Sequence, residues 1–263
     1  MTAPIPRDIP ELPAIPRTHA LLPSSVPASA VVPPVRRPLA AVLRLLLAGT
    51  AATGVTLALL ITDAPLRTLS HFSLQSNVLL AGVTLLSARR AWSARPPLPS
   101  ALTGAALLYI TITALVYHLL LPDPAPRFLA TDPAATSPTV WTTLTNHLLH
   151  TVTPVAALLD WLLLTPPGRM RLRRAATWML YPTAYLLFLL LRAQLITPTT
   201  PGRYLYPFLD AEAHGFKHTL ANALLLGLAF YALAVLLVTL DHVRPNPIRH
   251  RAKTGFRLQP PVG

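Results

Sequence analysis

Ser73, Asn77, Asn146, His147 and His150 are the residues whose types and spacing could do chemistry. They sit in two short runs, "HFSLQSN" (71–77) and "NHLLHTV" (146–152), inside stretches otherwise made of Leu, Val and Ala. On a helix, residues four apart share a face, so Ser73 lies with Asn77 and Asn146 with His150. A hydroxyl is a weak nucleophile until a neighbour removes its proton and a third group orients that neighbour. Ser73 supplies the hydroxyl and His150 the base. Asn77, Asn146 and His147 are left to orient the base or to bind substrate. Such a pair works without a cofactor or a metal.

The same side chains allow two other readings. Ser, Asn and His glue membrane helices together by hydrogen bonds worth about 1 kcal/mol each. Alternatively, His147 and His150 with His118 or His218 could hold zinc through their imidazoles. Against zinc, there is no H-E-x-x-H, and no carboxylate falls among these residues. G-x-S-x-G, P-loop and G-x-G-x-x-G signatures are also absent from the sequence.

The elements that must position these residues are transmembrane helices. Of 263 residues, 52% are hydrophobic and 12% charged, and the mean hydropathy is +0.50. Soluble domains carry about 25% charged residues. The apolar residues come in blocks of about twenty, the length that crosses a hydrocarbon core about 30 Å thick. Six spans are expected, at 39–62, 66–88, 101–121, 141–164, 176–196 and 216–240. The second is the most polar, and hydropathy alone would start its helix near Phe72. Strands are excluded, because an open sheet edge would leave backbone groups unsatisfied in lipid. The fold class is therefore an all-α, six-helix transmembrane bundle.

A formal charge of +13 suggests nucleic acid at first. Its distribution argues for topology instead. Arg7, Arg17, Arg36 and Arg37 precede the first span. Arg89, Arg90 and Arg95 follow the second, Arg169, Arg171, Arg173 and Arg174 the fourth, and Arg244, Arg249, Arg251, Lys253 and Arg257 the last. The other three loops contain only Arg67, Arg127 and Arg203, balanced by Asp63, Asp123, Asp132, Asp210 and Glu212. By the positive-inside rule both termini are cytoplasmic. Residues 1–38 are proline-rich without helical period and read as a disordered tail. Residues 39–240 form the membrane domain and 241–263 a basic cytoplasmic tail, which could also attract anionic headgroups. Cysteine is absent, so thiolate chemistry is excluded.

With topology assigned, most intramembrane polar residues fall in the outer half. Ser73, Gln75, Ser76 and Asn77 open the second span, and Asn146, His147 and His150 the fourth. Tyr117 and His118 close the third, Arg192 and Gln194 the fifth, and Lys217, His218 and Asn222 open the sixth. Such residues face a bundle interior or a wet cavity, so five helices contributing at one depth imply a shared pocket. Asp160, beside Trp161 near the cytoplasmic end, is expected to anchor at the interface, and Arg44 to snorkel there.

The segments "HFSLQSN" (71–77), "NHLLHTVTPVAALLDWLL" (146–163), "YPTAYLLFLLLRA" (181–193) and "YPFLD" (206–210), in this order, resemble the androgen-induced membrane hydrolase family. The likeness covers about residues 39–240. It implies a multipass hydrolase that cleaves fatty acid esters of hydroxy fatty acids with an intramembrane threonine and a histidine. The histidine corresponds to His150 and the threonine to Ser73, where the hydroxyl is kept and the methyl is lost. The resemblance also suggests that Arg192 holds a fatty carboxylate, a task suited to a guanidinium; pairing with Asp210 or Glu212, or snorkelling outward, would occupy it equally well. Tyr206, Pro207 and Phe208 are expected to shape an outer loop.

The expected activity is lipid-ester hydrolysis in a cell membrane, with membrane and lipid as partners and no nucleic acid. The competing class is a membrane transporter or lipid-binding scaffold. Its marks would be internal repeats or polar residues running through the cytoplasmic half, and neither is evident in the sequence.

Overall fold

The computed structural model describes residues 35–121, 139–197, 200 and 203–245. Most of the expected N-terminal tail (1–34) and basic C-terminal tail (246–263) lies outside the described residues. Contacts divide the chain into Met1–Val35 and Arg36–Gly263, and every element below belongs to the second unit.

The fold is all-helical, with no strand among the described residues. α1 spans Pro38–Ile61, the short α2 Pro65–Leu69 and α3 Phe72–Trp92. α4 spans Ser100–Leu115 and continues as a π-helical turn, Val116–Leu120. α5 (Val140–His147) runs through a second π-helical turn (Leu148–Val152) into α6 (Thr153–Leu164). α7 (Leu172–Trp178) and α8 (Leu180–Leu195) follow almost without a break. A 3₁₀ turn at Pro207–Leu209 and the short α9 (Ala211–His214) lead into α10, Phe216–Val243.

Five helical stretches are long and apolar enough to cross a membrane: Pro38–Ile61, Ser100–Leu120, Val140–Leu164, Leu172–Leu195 and Phe216–Val243. Their outward faces carry bare leucines. On α10, Leu224, Leu225 and Leu228 are each 66–67% exposed. That surface suits lipid, and the chain has the make-up of a multipass membrane protein.

The second expected span differs from its prediction. Its helix begins at Phe72 rather than Leu66, because Ser70 Oγ turns back onto the Leu66 carbonyl and His71 is extended (φ −76, ψ 137). At 21 residues α3 is long enough to cross but falls below the others in hydropathy. The last helix runs to Val243, three residues past the expected boundary, and takes Asp241 into the bundle.

α4 is the centre. Every residue from Ala106 to Thr113 is buried, as a helix surrounded by others requires. Close approach is made by small residues. α1 lays Ala51, Gly54, Val55 and Ala58 toward α3 and the second π turn. A Cβ on Gly54 would come within 2.9 Å of Leu149 Cδ2, and one on Gly104 would fall onto the Trp178 ring.

At the end opposite Ser73, Arg44 Nε donates to Asp160 Oδ1 at 2.8 Å. These two residues pair with each other rather than anchoring separately at the interface. Asp241, 1% exposed, accepts from Trp161 Nε1, from the backbone N–H groups of Arg169 and Met170, and from Arg244. One carboxylate thereby ties α10 to α6 and to the loop before α7.

Candidate functional site

Ser73 is the second residue of α3, and three tyrosines hold the chain around it. Tyr185 Oη donates to the Ser70 carbonyl at 2.8 Å and Tyr181 Oη to Gln75 Oε1 at 2.6 Å. The Phe72 N–H donates to Tyr206 Oη at 3.2 Å, and the Phe72 ring packs against Tyr181 and Tyr185 at 5.4 and 5.1 Å. A helix leaves its first N–H groups without intrahelical partners. Tyr206 takes one of them, and the N–H groups of Ser73 and Leu74 share that helix terminus.

The polar residues of the "HFSLQSN" run divide by partner. Ser76 Oγ lies 2.7 Å from Thr113 Oγ1 of α4. Gln75 meets Tyr181, and Asn77 Nδ2 donates to the Ser73 and Leu149 carbonyls at 2.8 and 3.2 Å. His71 is buried with Nδ1 against the Arg67 and Thr68 carbonyls. Among the described residues the Ser73 hydroxyl makes no hydrogen bond. It lines a cavity instead.

His150 is positioned by a local defect with a readable cause. Pro154 has no N–H to give the His150 carbonyl, so the helix cannot close there in the α pattern. The chain takes up an extra residue, and the Thr153 N–H bonds the Leu148 carbonyl, five residues back. The Leu149 carbonyl then loses its α-helical donor, and Asn77 reaches across from α3 to supply one. Pro182, near the start of α8, likewise has no N–H for a carbonyl four residues back, and that carbonyl, of Trp178, accepts from Tyr109 Oη at 2.8 Å.

The His150 ring is 2% exposed. Its Nδ1 lies 3.1 Å from the Asn146 carbonyl, which can only accept, so Nδ1 carries the proton and Nε2 is the basic nitrogen. One face stacks on Tyr117, ring centroids 4.0 Å apart and 13° from parallel. Tyr117 comes from the π turn of α4, and His118 Nε2 lies 3.2 Å from Thr151 Oγ1. The two π turns are thus joined twice.

Ser73 and His150 line one cavity of about 900 Å³. Thr113, Tyr117, Thr183 and Tyr206 add polar groups, and Ile112, Leu186, Leu189, Leu226 and Phe230 make its walls apolar. A small number of polar groups in an apolar cavity is the make-up of a small-molecule site.

Of the residues expected at the site, the structure brings Ser73 and His150 to this lining. Asn77 sits behind them as a brace between α3 and the π turn. Asn146 meets His150 Nδ1 through its backbone carbonyl. His147 is exposed on the outer face of α5. Arg192 lies outside the lining, where its Nη1 donates to the Arg203 carbonyl at 2.8 Å. Arg203 in turn pairs with Glu212 and donates Nε to the Ala193 carbonyl. Tyr206 and Phe208, expected only to shape a loop, reach the cavity. Among the described residues no three His, Cys, Asp or Glu side chains gather as a metal would require, so the zinc reading of His118, His147, His150 and His218 has no geometric support.

Compared with protein-family models, with curated proteins and with solved structures, the chain matches none.

Proposed function

We propose that this protein is a membrane-embedded hydrolase of lipid esters, with Ser73 as nucleophile and His150 as general base and then acid. One observation carries the reading. Two helices far apart in sequence present a buried hydroxyl and an oriented imidazole to the same apolar cavity.

In this scheme the acyl chain occupies the apolar walls and Ser73 Oγ attacks the ester carbon. His150 Nε2 takes the hydroxyl proton and passes it to the leaving alkoxide. Water then cleaves the acyl-serine by the same route, releasing fatty acid and restoring both residues. The N–H groups of Ser73 and Leu74, at the positive end of α3, are the donors at hand for the oxyanion. The resemblance to the androgen-induced membrane hydrolases, carried by the segments around these residues, favours the same chemistry. In this reading α3 is a sixth span, since 21 residues at 1.5 Å each reach about 30 Å. An even number of crossings puts both termini on one side, and the arginine distribution makes that side the cytoplasm. The cell membrane is the proposed location.

The test is labelling of the purified protein with a fluorophosphonate probe, together with turnover of a panel of lipid esters. Ser73→Ala should abolish both, His150→Ala should reduce both by at least about 10³-fold, and Ser73→Thr should retain labelling. Unchanged labelling and turnover in both alanine variants would remove the proposal.

A further inference from the structure

A second cavity, of about 680 Å³, lies at the opposite end of the bundle, and three arginines and four hydroxyl side chains are among its lining. Arg37 precedes α1, Arg44 lies two turns into it, and Arg169 comes from the loop between α6 and α7. One carboxylate faces them. Asp160 is taken by Arg44, whose Nη2 also reaches Thr165 Oγ1 at 3.4 Å. The other nearby carboxylate, Asp241, is paired with Arg244 and bonded by Trp161 and two backbone N–H groups. Among the described residues neither Arg37 nor Arg169 has an ion-pair partner. Burial lowers the pKa of Arg169, Asp241 opposes that, and the fields of Arg37 and Arg44 lower it further. Three cations are therefore held close enough to repel one another, while the two carboxylates near them are already committed, Asp160 to Arg44 and Asp241 to Arg244.

We propose that this cavity binds a phosphate group, and that its source is the headgroup of an anionic phospholipid. Arginine forks match phosphate oxygens in pairs, and a dianionic or monoanionic phosphate would relieve the excess charge of Arg37 and Arg169. Beyond the arginines the walls turn apolar, with Leu47, Leu80 and Leu107. Such a gradient fits an amphiphile entering headgroup-outward better than a free ion. The site shares no residue with the Ser73 cavity and holds whether or not that cavity is catalytic.

The full chain, purified in detergent and supplied with phosphatidylglycerol or phosphatidylcholine, is read by native mass spectrometry for retained lipid. Wild type should keep phosphatidylglycerol in preference. Arg37→Gln with Arg169→Gln should lose about tenfold or more of that retention, as expected for charge-assisted bonds. Arg171→Gln with Arg173→Gln removes the same charge outside the cavity and should keep it. Asp160→Asn, which deletes the competing carboxylate, should raise retention, a gain that misfolding cannot produce. Retention untouched by millimolar inorganic phosphate assigns the site to the headgroup. Stabilisation of wild type, but not of the double variant, by phosphate alone assigns it to a soluble phosphate. Equal phosphatidylglycerol retention in wild type and Arg37→Gln/Arg169→Gln, or equal loss in Arg171→Gln/Arg173→Gln, overturns the proposal.

Discussion

The Tyr117 ring lies flat on the His150 ring, centroids 4.0 Å apart and 13° from parallel, each projecting from a π-helical turn. With Nδ1 fixed on the Asn146 carbonyl, the stack leaves the imidazole little freedom to rotate. The imidazole is held in place from two directions.

Removal of the stacking face should loosen that hold without deleting the imidazole. Aromatic pairs are worth about 0.5–1.5 kcal/mol beyond their burial. On the proposed function, Tyr117→Ala should therefore lower kcat for ester hydrolysis by roughly threefold to tenfold, while Tyr117→Phe, which keeps the ring, should match wild type. An equal loss in both variants would mean that the hydroxyl matters and the stack does not.

Asn77 should prove structural more than chemical. Its Nδ2 serves the Leu149 carbonyl that the π turn orphans, and a buried carbonyl left unpaired costs about 1–3 kcal/mol. Asn77→Leu should lower the melting temperature, and the loss should persist with Ser73 already changed to Ala. A variant as stable as wild type but inactive would place Asn77 in the chemistry instead.

Gly104 sets how closely α4 approaches Trp178, whose Nε1 donates to the Ala101 carbonyl at 2.9 Å. An added Cβ would fall onto the indole ring. Gly104→Ala should cost about 1–3 kcal/mol by overpacking, visible as a lower thermal midpoint. A smaller side chain at Trp178 should restore part of it, as coupled neighbours do.

The sequence disclosed spans better than partners. Blocks of about twenty apolar residues mark α1, α4 and α10 because lipid imposes length directly. Ser73 and His150 stand out because polar side chains are rare at such depth. The jobs of Asn77 and Tyr109 could not be read, since each answers a carbonyl released by a proline on another helix. Pro154 and Pro182 were nonetheless visible inside apolar runs. A proline inside a span marks a carbonyl that needs a new donor, four residues earlier as at Pro182 or five where the helix bulges as at Pro154. Tyr206 was hidden for another reason: its loop folds back over the cavity, and loop direction has no periodic signature.

Pro154 offers the sharpest separation of stability from function. Replacing it with alanine returns an N–H to the His150 carbonyl and removes the reason for the π turn, and alanine is favoured over proline in a helix interior by about 3 kcal/mol. If the turn relaxes to α geometry, one residue is withdrawn from the bulge and residues before it rotate by about 100° relative to α6. His150 would leave the Tyr117 face and the cavity. Pro154→Ala should therefore melt at or above the wild-type temperature yet show fluorophosphonate labelling as weak as His150→Ala. A variant that is more stable and fully active would show that the bulge is incidental to the placement of His150, whatever that residue does.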